Sequence, residues 1–154
     1  MHTLLPMSQT TSISAVTQFP AVGKITQVLP DGNTMVFQPS GTNYELHLGF
    51  TSGEKVQVSA RPIEGIIHVK ARKVWTVPSG GKFIAPIFGP PKTIQGRVKW
   101  LDERVLLVQG GTNFVVEMPA SDAALDLANG AIEAGALVNV TAFPGATFEF
   151  RNPA

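Results

Sequence analysis

The residue types best suited to chemistry gather in the middle of the chain. Between positions 61 and 104 stand Arg61, Lys70, Arg72, Lys73, Lys82, Lys92, Arg97, Lys99 and Arg104, opposed by Glu64, Asp102 and Glu103. That segment carries a net charge of +6, against −1 for residues 1–60 and −4 for residues 105–154. Cations at this density suit a phosphate backbone, whose counterions they release on binding. In "RPIEGIIHVKARKVW" (61–75), alternation sends Ile67, Val69 and Ala71 to one face and His68, Lys70 and Arg72 to the other. In "IQGRVKWLDER" (94–104), Arg97 and Lys99 share one face and Val98 and Trp100 the other. Single-strand binders pair such a cationic surface with aromatics on which bases stack. The aromatics at hand are Trp75, Phe83, Phe88 and Trp100, although Trp75 and Trp100 alternate with the core-facing positions.

The expected partner is therefore single-stranded DNA or RNA, with Arg61, Lys70, Arg72, Lys73, Lys82, Arg97 and Lys99 as the contact set. Phosphate contacts of this kind position a ligand without reading its sequence. A plainer reading competes: lysines on a solvated strand face also keep edge strands from pairing with other chains.

Other chemistries lack their residues. The chain has no cysteine, which removes disulfides, thiolate metal sites and a cysteine nucleophile. His2, His47 and His68 are far apart and not in a ligand spacing, so no metal and no cofactor is expected. No Gly-x-Ser-x-Gly elbow is present, and "SGG" (79–81) lacks the Gly-Lys-Ser/Thr of a nucleotide-gripping loop. Glu45 and Glu117 fall at similar places in two separate segments, whereas glycosidase carboxylates must stand about 5–10 Å apart. The expectation is a binding module, not an enzyme.

The elements that must carry these residues are strands. "GKITQVLPDGNTMVFQPSGTNYELHL" (23–48) aligns with "GRVKWLDERVLLVQGGTNFVVEM" (96–118), setting Gly23 on Gly96 and Gly41-Thr42-Asn43 on Gly111-Thr112-Asn113. "EKVQVSARP" (54–62) likewise aligns with "ALVNVTAFP" (136–144). The pattern is that of an internal duplication. Alternating or β-branched runs bounded by turn residues predict strands over 22–29, 34–39, 43–49, 55–61 and 66–76, and again over 94–101, 104–109, 113–118, 137–143 and 146–151. "PDGN" (30–33) closes the first hairpin and "LDER" (101–104) its counterpart. "PASDAALDLANGAIEAG" (119–135) has a capping Ser121 and an Asn129-Gly130 stop, predicting a short helix near 121–130.

Three strands, a helix and two more strands is an order that resembles the OB-fold, a five-stranded Greek-key barrel known for binding oligonucleotides or oligosaccharides. The resemblance spans residues 20–77 and 92–152 and rests on element order and repeat length. It implies a mainly β protein of two tandem OB-like barrels with one helix in the second; the alternative is one pseudo-symmetric barrel. The division is a flexible tail over 1–18, a first repeat over 19–77, a linker over 78–92 and a second repeat over 93–152.

The linker, "VPSGGKFIAPIFGPPK" (77–92), combines prolines that resist regular structure with Phe83, Ile84, Ile87 and Phe88. Those apolar residues either pack across the seam between the repeats or dock a protein partner. An adaptor holding a protein assembly together is thus the rival to nucleic-acid binding. The first residues lack a basic n-region and an apolar core of signal-peptide length, and no apolar run approaches the roughly 20 residues of a membrane span. A cytoplasmic protein without a membrane partner is the expectation.

Overall fold

The computed structural model describes residues 19–50 and 55–151. The tail expected over 1–18 lies outside them. The strands are β1 (Ala21–Val28), β2 (Thr34–Pro39), β3 (Glu45–Gly49), β4 (Ile63–Thr76), β5 (Phe83–Ala85), β6 (Phe88–Gly89), β7 (Thr93–Leu101), β8 (Val105–Gln109), β9 (Asn113–Glu117), β10 (Leu125–Asp126), β11 (Leu137–Ala142) and β12 (Thr147–Phe150). The protein is mainly β, and hydrogen bonds join these strands in one mixed sheet.

Two local devices recur in the opening meanders of the two halves. Asp31 Oδ1 accepts from the backbone N–H groups of Asn33 and Thr34 at 2.8 and 2.9 Å, tightening the β1–β2 turn. Asp102 Oδ1 does the same for Arg104 and Val105 at 2.7 and 2.8 Å in the β7–β8 turn. A short side-chain acceptor is well placed to satisfy backbone donors two and three residues on. Gly23 and Gly96 supply the second device, since a Cβ on either would stand 2.2 Å from the carbonyl oxygen of Gln38 or Gln109. Only glycine lets the backbones approach so closely. Just beyond each glycine the register slips, between Ile25 and Gln27 in one hairpin and between Val98 and Trp100 in the other.

The pairings close on themselves twice. β1, β2, β3, β12 and β4 form one hydrogen-bonded circuit, closed where Ala21–Gly23 meets Ile63–Gly65. β7, β8, β9, β4 and β11 form the other. In both, the third strand of the meander takes a parallel partner from the other half: β3 pairs with β12, and β9 with β4. The long β4 belongs to both circuits. Its start lies beside β1, Ile67–Lys70 beside β9 and Ala71–Thr76 beside β11, so one continuous strand ties the halves together.

The core follows the alternation. Phe37, Leu46, Leu48, Ile67, Ile94, Phe114, Val138 and Val140 are all fully buried. Phe37 and Phe148 stack with centroids 4.9 Å apart, and Phe148 meets Phe150 at 5.0 Å, so β12 is fixed by aromatic packing as well as by its ladder.

Two expected elements are absent. In place of a helix near 121–130 there is a single 3₁₀ turn, Asp122–Ala124, capped by Ser121 Oγ, which accepts from Ala123 N at 3.2 Å. None of its residues is buried. A helix of two turns is marginal without an apolar face to pack, and Leu125 and Asp126 instead add a parallel ladder to Val74 and Trp75 on the edge of β4. No strand forms over 55–61 either. Ser59 N donates to the Ile25 carbonyl at 3.0 Å, but the return bond from Ile25 N goes to Ser59 Oγ at 2.9 Å. The side chain thus replaces a backbone acceptor, and Val58 is left 61% exposed. Its aligned counterpart, β11, has ladder partners on both edges.

Candidate functional site

β4 presents its cations as alternation requires. Ile67, Val69 and Ala71 are buried, whereas Lys70, Arg72 and Lys73 are exposed. Two adjacent exposed cations break the period of two, and the ladder shows why: Lys73 pairs with Thr141, but Ala71 pairs with Ala142, leaving Arg72 unpaired in a bulge. Val74 then returns to the core.

Side chains in register across neighbouring strands share a face. Asp126 of β10, Trp75 of β4, Asn139 of β11, Gln95 of β7 and Phe83 of β5 form one such row on the outer surface. Trp75 to Phe83 spans three strand spacings, about 14 Å. Beside it runs the row Lys73, Thr141, Thr93 and Ala85. On its other side Leu137 and Arg97 pair, and Arg97 pairs onward with Gln109. Arg97 Nη1 donates to the Gly135 carbonyl at 3.1 Å, and Lys82 Nζ donates to Gln109 Oε1 at 3.2 Å. An aromatic and amide row is thereby flanked by Lys73 on one side and by Arg97 and Lys82 on the other. Asp126 sets a carboxylate beyond the Trp75 end.

The remaining predicted cations lie elsewhere. Lys70 stands in register with Glu117 of β9, so an opposite charge faces it. Lys99 sits on the β7 bulge. Arg61 precedes β4, at the opposite end of that strand from Lys73. His47 and His68, both on polar strand positions, have different neighbours: His47 lies edge-on to the Phe88 ring at 4.6 Å, and His68 Nε2 lies 2.7 Å from Glu149 Oε1.

The linker spans both halves: β5 pairs with β7, and β6 pairs with β3. Ile84 is buried, and its backbone N–H donates to Tyr44 Oη at 3.2 Å. Phe83, Ile87 and Phe88 are 37%, 63% and 57% exposed, so one of the four apolar linker side chains serves the core and three face outward.

Sequence reasoning passed over Asn139 and Gln95. Their signal was a polar residue at an outward position of an otherwise apolar strand, "ALVNVTA" and "TIQGRV". Trp75, which alternation groups with the core, is half-buried and in line with the outward row. Among the described residues no group of three His, Cys, Asp or Glu side chains is arranged to hold a metal ion, and no helix is long and apolar enough to cross a membrane.

Compared with protein-family models, characterised proteins and solved structures, the chain has no significant match.

Proposed function

We propose that this protein is a non-enzymatic module that binds single-stranded nucleic acid on the outer face of β4, β11, β7 and β5. The observation that carries the reading is the in-register row from Trp75 to Phe83 with cations on both flanks. Trp75 and Phe83 supply stacking surfaces, and Lys73, Arg97 and Lys82 supply phosphate contacts; base-on-aromatic stacking contributes about 1–3 kcal/mol per base. Arg72, beside Lys73 on the bulge, extends the cationic flank. Lys70, facing Glu117, contributes less, and Arg61 and Lys99 lie outside the centre of the site.

The two five-strand circuits support reading the fold as two OB-like barrels that exchange a strand, with β4 completing the second circuit and β12 the first. The matching turns and close-approach glycines support descent from a duplicated unit. The proposed site lies on β4, β11 and β7, not on the second and third strands that OB-folds commonly use, so it rests on its own geometry and not on that likeness.

The test is fluorescence anisotropy of a labelled mixed-sequence single strand, as DNA and as RNA, at about 50 and 200 mM salt. Affinity that falls steeply with salt, and a salt slope that drops by about 2 in the Lys73→Glu/Arg97→Glu variant, is the expected result. No binding at low salt sinks the reading.

A second reading has its own observation, the outward Phe83, Ile87 and Phe88 of the linker, which suit an adaptor that docks a protein. Phe88→Ser with Ile87→Ser separates the two: loss of self-association or partner capture with nucleic-acid binding unchanged favours the adaptor.

A further inference from the structure

The amides at the centre of the site form a directed chain. Gln95 Nε2 donates to the Gly81 carbonyl at 2.8 Å, and Asn139 Nδ2 donates to Gln95 Oε1 at 3.0 Å. A backbone carbonyl only accepts, so it fixes which end of Gln95 faces it, and Gln95 in turn fixes Asn139. The direction of both amides follows from a single backbone atom.

Asn139 Oδ1 is left over. Asn139 is only 7% exposed, and its Oδ1 is buried without a hydrogen-bond partner. Trp75 is its neighbour across the ladder on the side away from Gln95. Buried polar groups are nearly always paired, so an unpaired one calls for an explanation. The run Pro78–Lys82 is exposed throughout and is held toward this face by the Gln95–Gly81 bond and the Lys82–Gln109 bond. A Cβ on Gly80 would stand 2.8 Å from Gln95 Nε2 and 3.9 Å from Leu137 Cδ2, which places the loop over two side chains that flank Asn139.

We propose that Asn139 Oδ1 is the specificity-determining acceptor of this face, taking a hydrogen bond from the exocyclic amine of a base stacked on Trp75, with Pro78–Gly80 displaced to admit it while Gly81 keeps its bond to Gln95. The inference rests on the nucleic-acid reading and deepens it from phosphate and stacking contacts to base selection. An exocyclic amine projects beyond the ring and carries the donor that this acceptor lacks. Adenine and cytosine present such an amine on the edge used for base pairing; uracil and thymine present carbonyl oxygens there, flanking a ring N–H, and those oxygens face Oδ1 unfavourably.

The decisive probes are two single strands of equal length, one of deoxyadenosine and one of purine 2′-deoxyriboside. They share phosphate charge and ring system and differ in the amine alone. Wild-type protein should bind the deoxyadenosine strand about five-fold more tightly, the scale of one net hydrogen bond. In Asn139→Ala the ratio should fall to about one while the purine strand is held within about two-fold of wild type. In Gln95→Met, which frees the Asn139 amide to turn, the ratio should shrink without vanishing. Equal wild-type affinities for the two strands, or a ratio that survives Asn139→Ala in protein shown by thermal melting to be folded, overturns the inference and leaves the nucleic-acid reading standing. Binding of neither strand overturns both. Should Asn139→Ala not fold, the wild-type comparison and Gln95→Met still decide.

Discussion

Gly65 of β4 lies so close to Phe148 of β12 that a Cβ on the glycine would stand 2.2 Å from the ring Cζ and 2.6 Å from the Glu149 carbonyl oxygen. The contact joins the shared strand of the two circuits to the last strand of the chain. Phe148 is 2% exposed and stacked between Phe37 and Phe150, so it has nowhere to retreat. Gly65→Ala should therefore destabilise by about 1–3 kcal/mol, the range for overpacking a filled core. Urea denaturation measures it. A variant as stable as wild type would mean that β12 can shift without cost.

Phe148 also tests whether the circuits unfold together. Trp75 and Trp100 are the only tryptophans; Trp75 lies on the part of β4 that pairs with β11 and Trp100 lies on β7, both in the second circuit, whereas Phe148 packs in the first. Phe148→Ala should cost about 3–5 kcal/mol. If β4 couples the circuits, tryptophan fluorescence should report that full loss, and its transition should coincide with the one seen by far-UV circular dichroism. Separate transitions, with the fluorescence midpoint unmoved, would show that the circuits unfold independently.

The first hairpin carries a pH dependence. The backbone N–H of Asn33, the Thr34 hydroxyl and the Thr34 N–H all favour ionised Asp31, holding its carboxyl below the ordinary value of 3.8. A carboxylate with a lowered folded value stabilises the fold above its unfolded value, and that contribution disappears as pH falls through the folded one. The stability difference between wild type and Asp31→Asn should be constant above about pH 5 and should close in strongly acid solution. Chemical denaturation across that range reads it; a difference unchanged at the acid end would show that the charge contributes nothing.

Nearly all of the long strands were legible because their cause is local: β2 matches its expected span, and β4, β7, β8, β9 and β11 agree with theirs to within three residues at each end. The helix was misread because Ser121 and Asn129-Gly130 do signal helix ends, while the open edge of β4 that captures Leu125 and Asp126 is remote in sequence. The cations of β4 could be seen one by one, but which of them stand together could not. That grouping depends on β11 lying between β4 and β7, and on the bulge at Arg72, neither of which alternation within one strand encodes. Asn139 was missed for the same reason: its neighbours Trp75 and Gln95 are 64 and 44 residues away along the chain.

Asp126 offers a prediction that runs against intuition about removing a polar surface residue. It is exposed, in register with Trp75 on the edge of β4 away from Asn139, and its Oδ1 accepts from Ala128 N at 3.0 Å. A carboxylate there repels a phosphate backbone that approaches the stacking row from the Trp75 end. Asp126→Asn keeps an oxygen that can accept from Ala128 N and removes the charge, so single-strand affinity should rise about two- to five-fold at low ionic strength. The gain should shrink toward nothing as salt screens the site, whose Debye length falls from about 10 Å at 0.1 M to 3 Å at 1 M. Anisotropy titrations of both proteins over a salt series measure it. An affinity unchanged at low salt would place the phosphates away from β10 and move the bound strand toward Arg97 and Lys82.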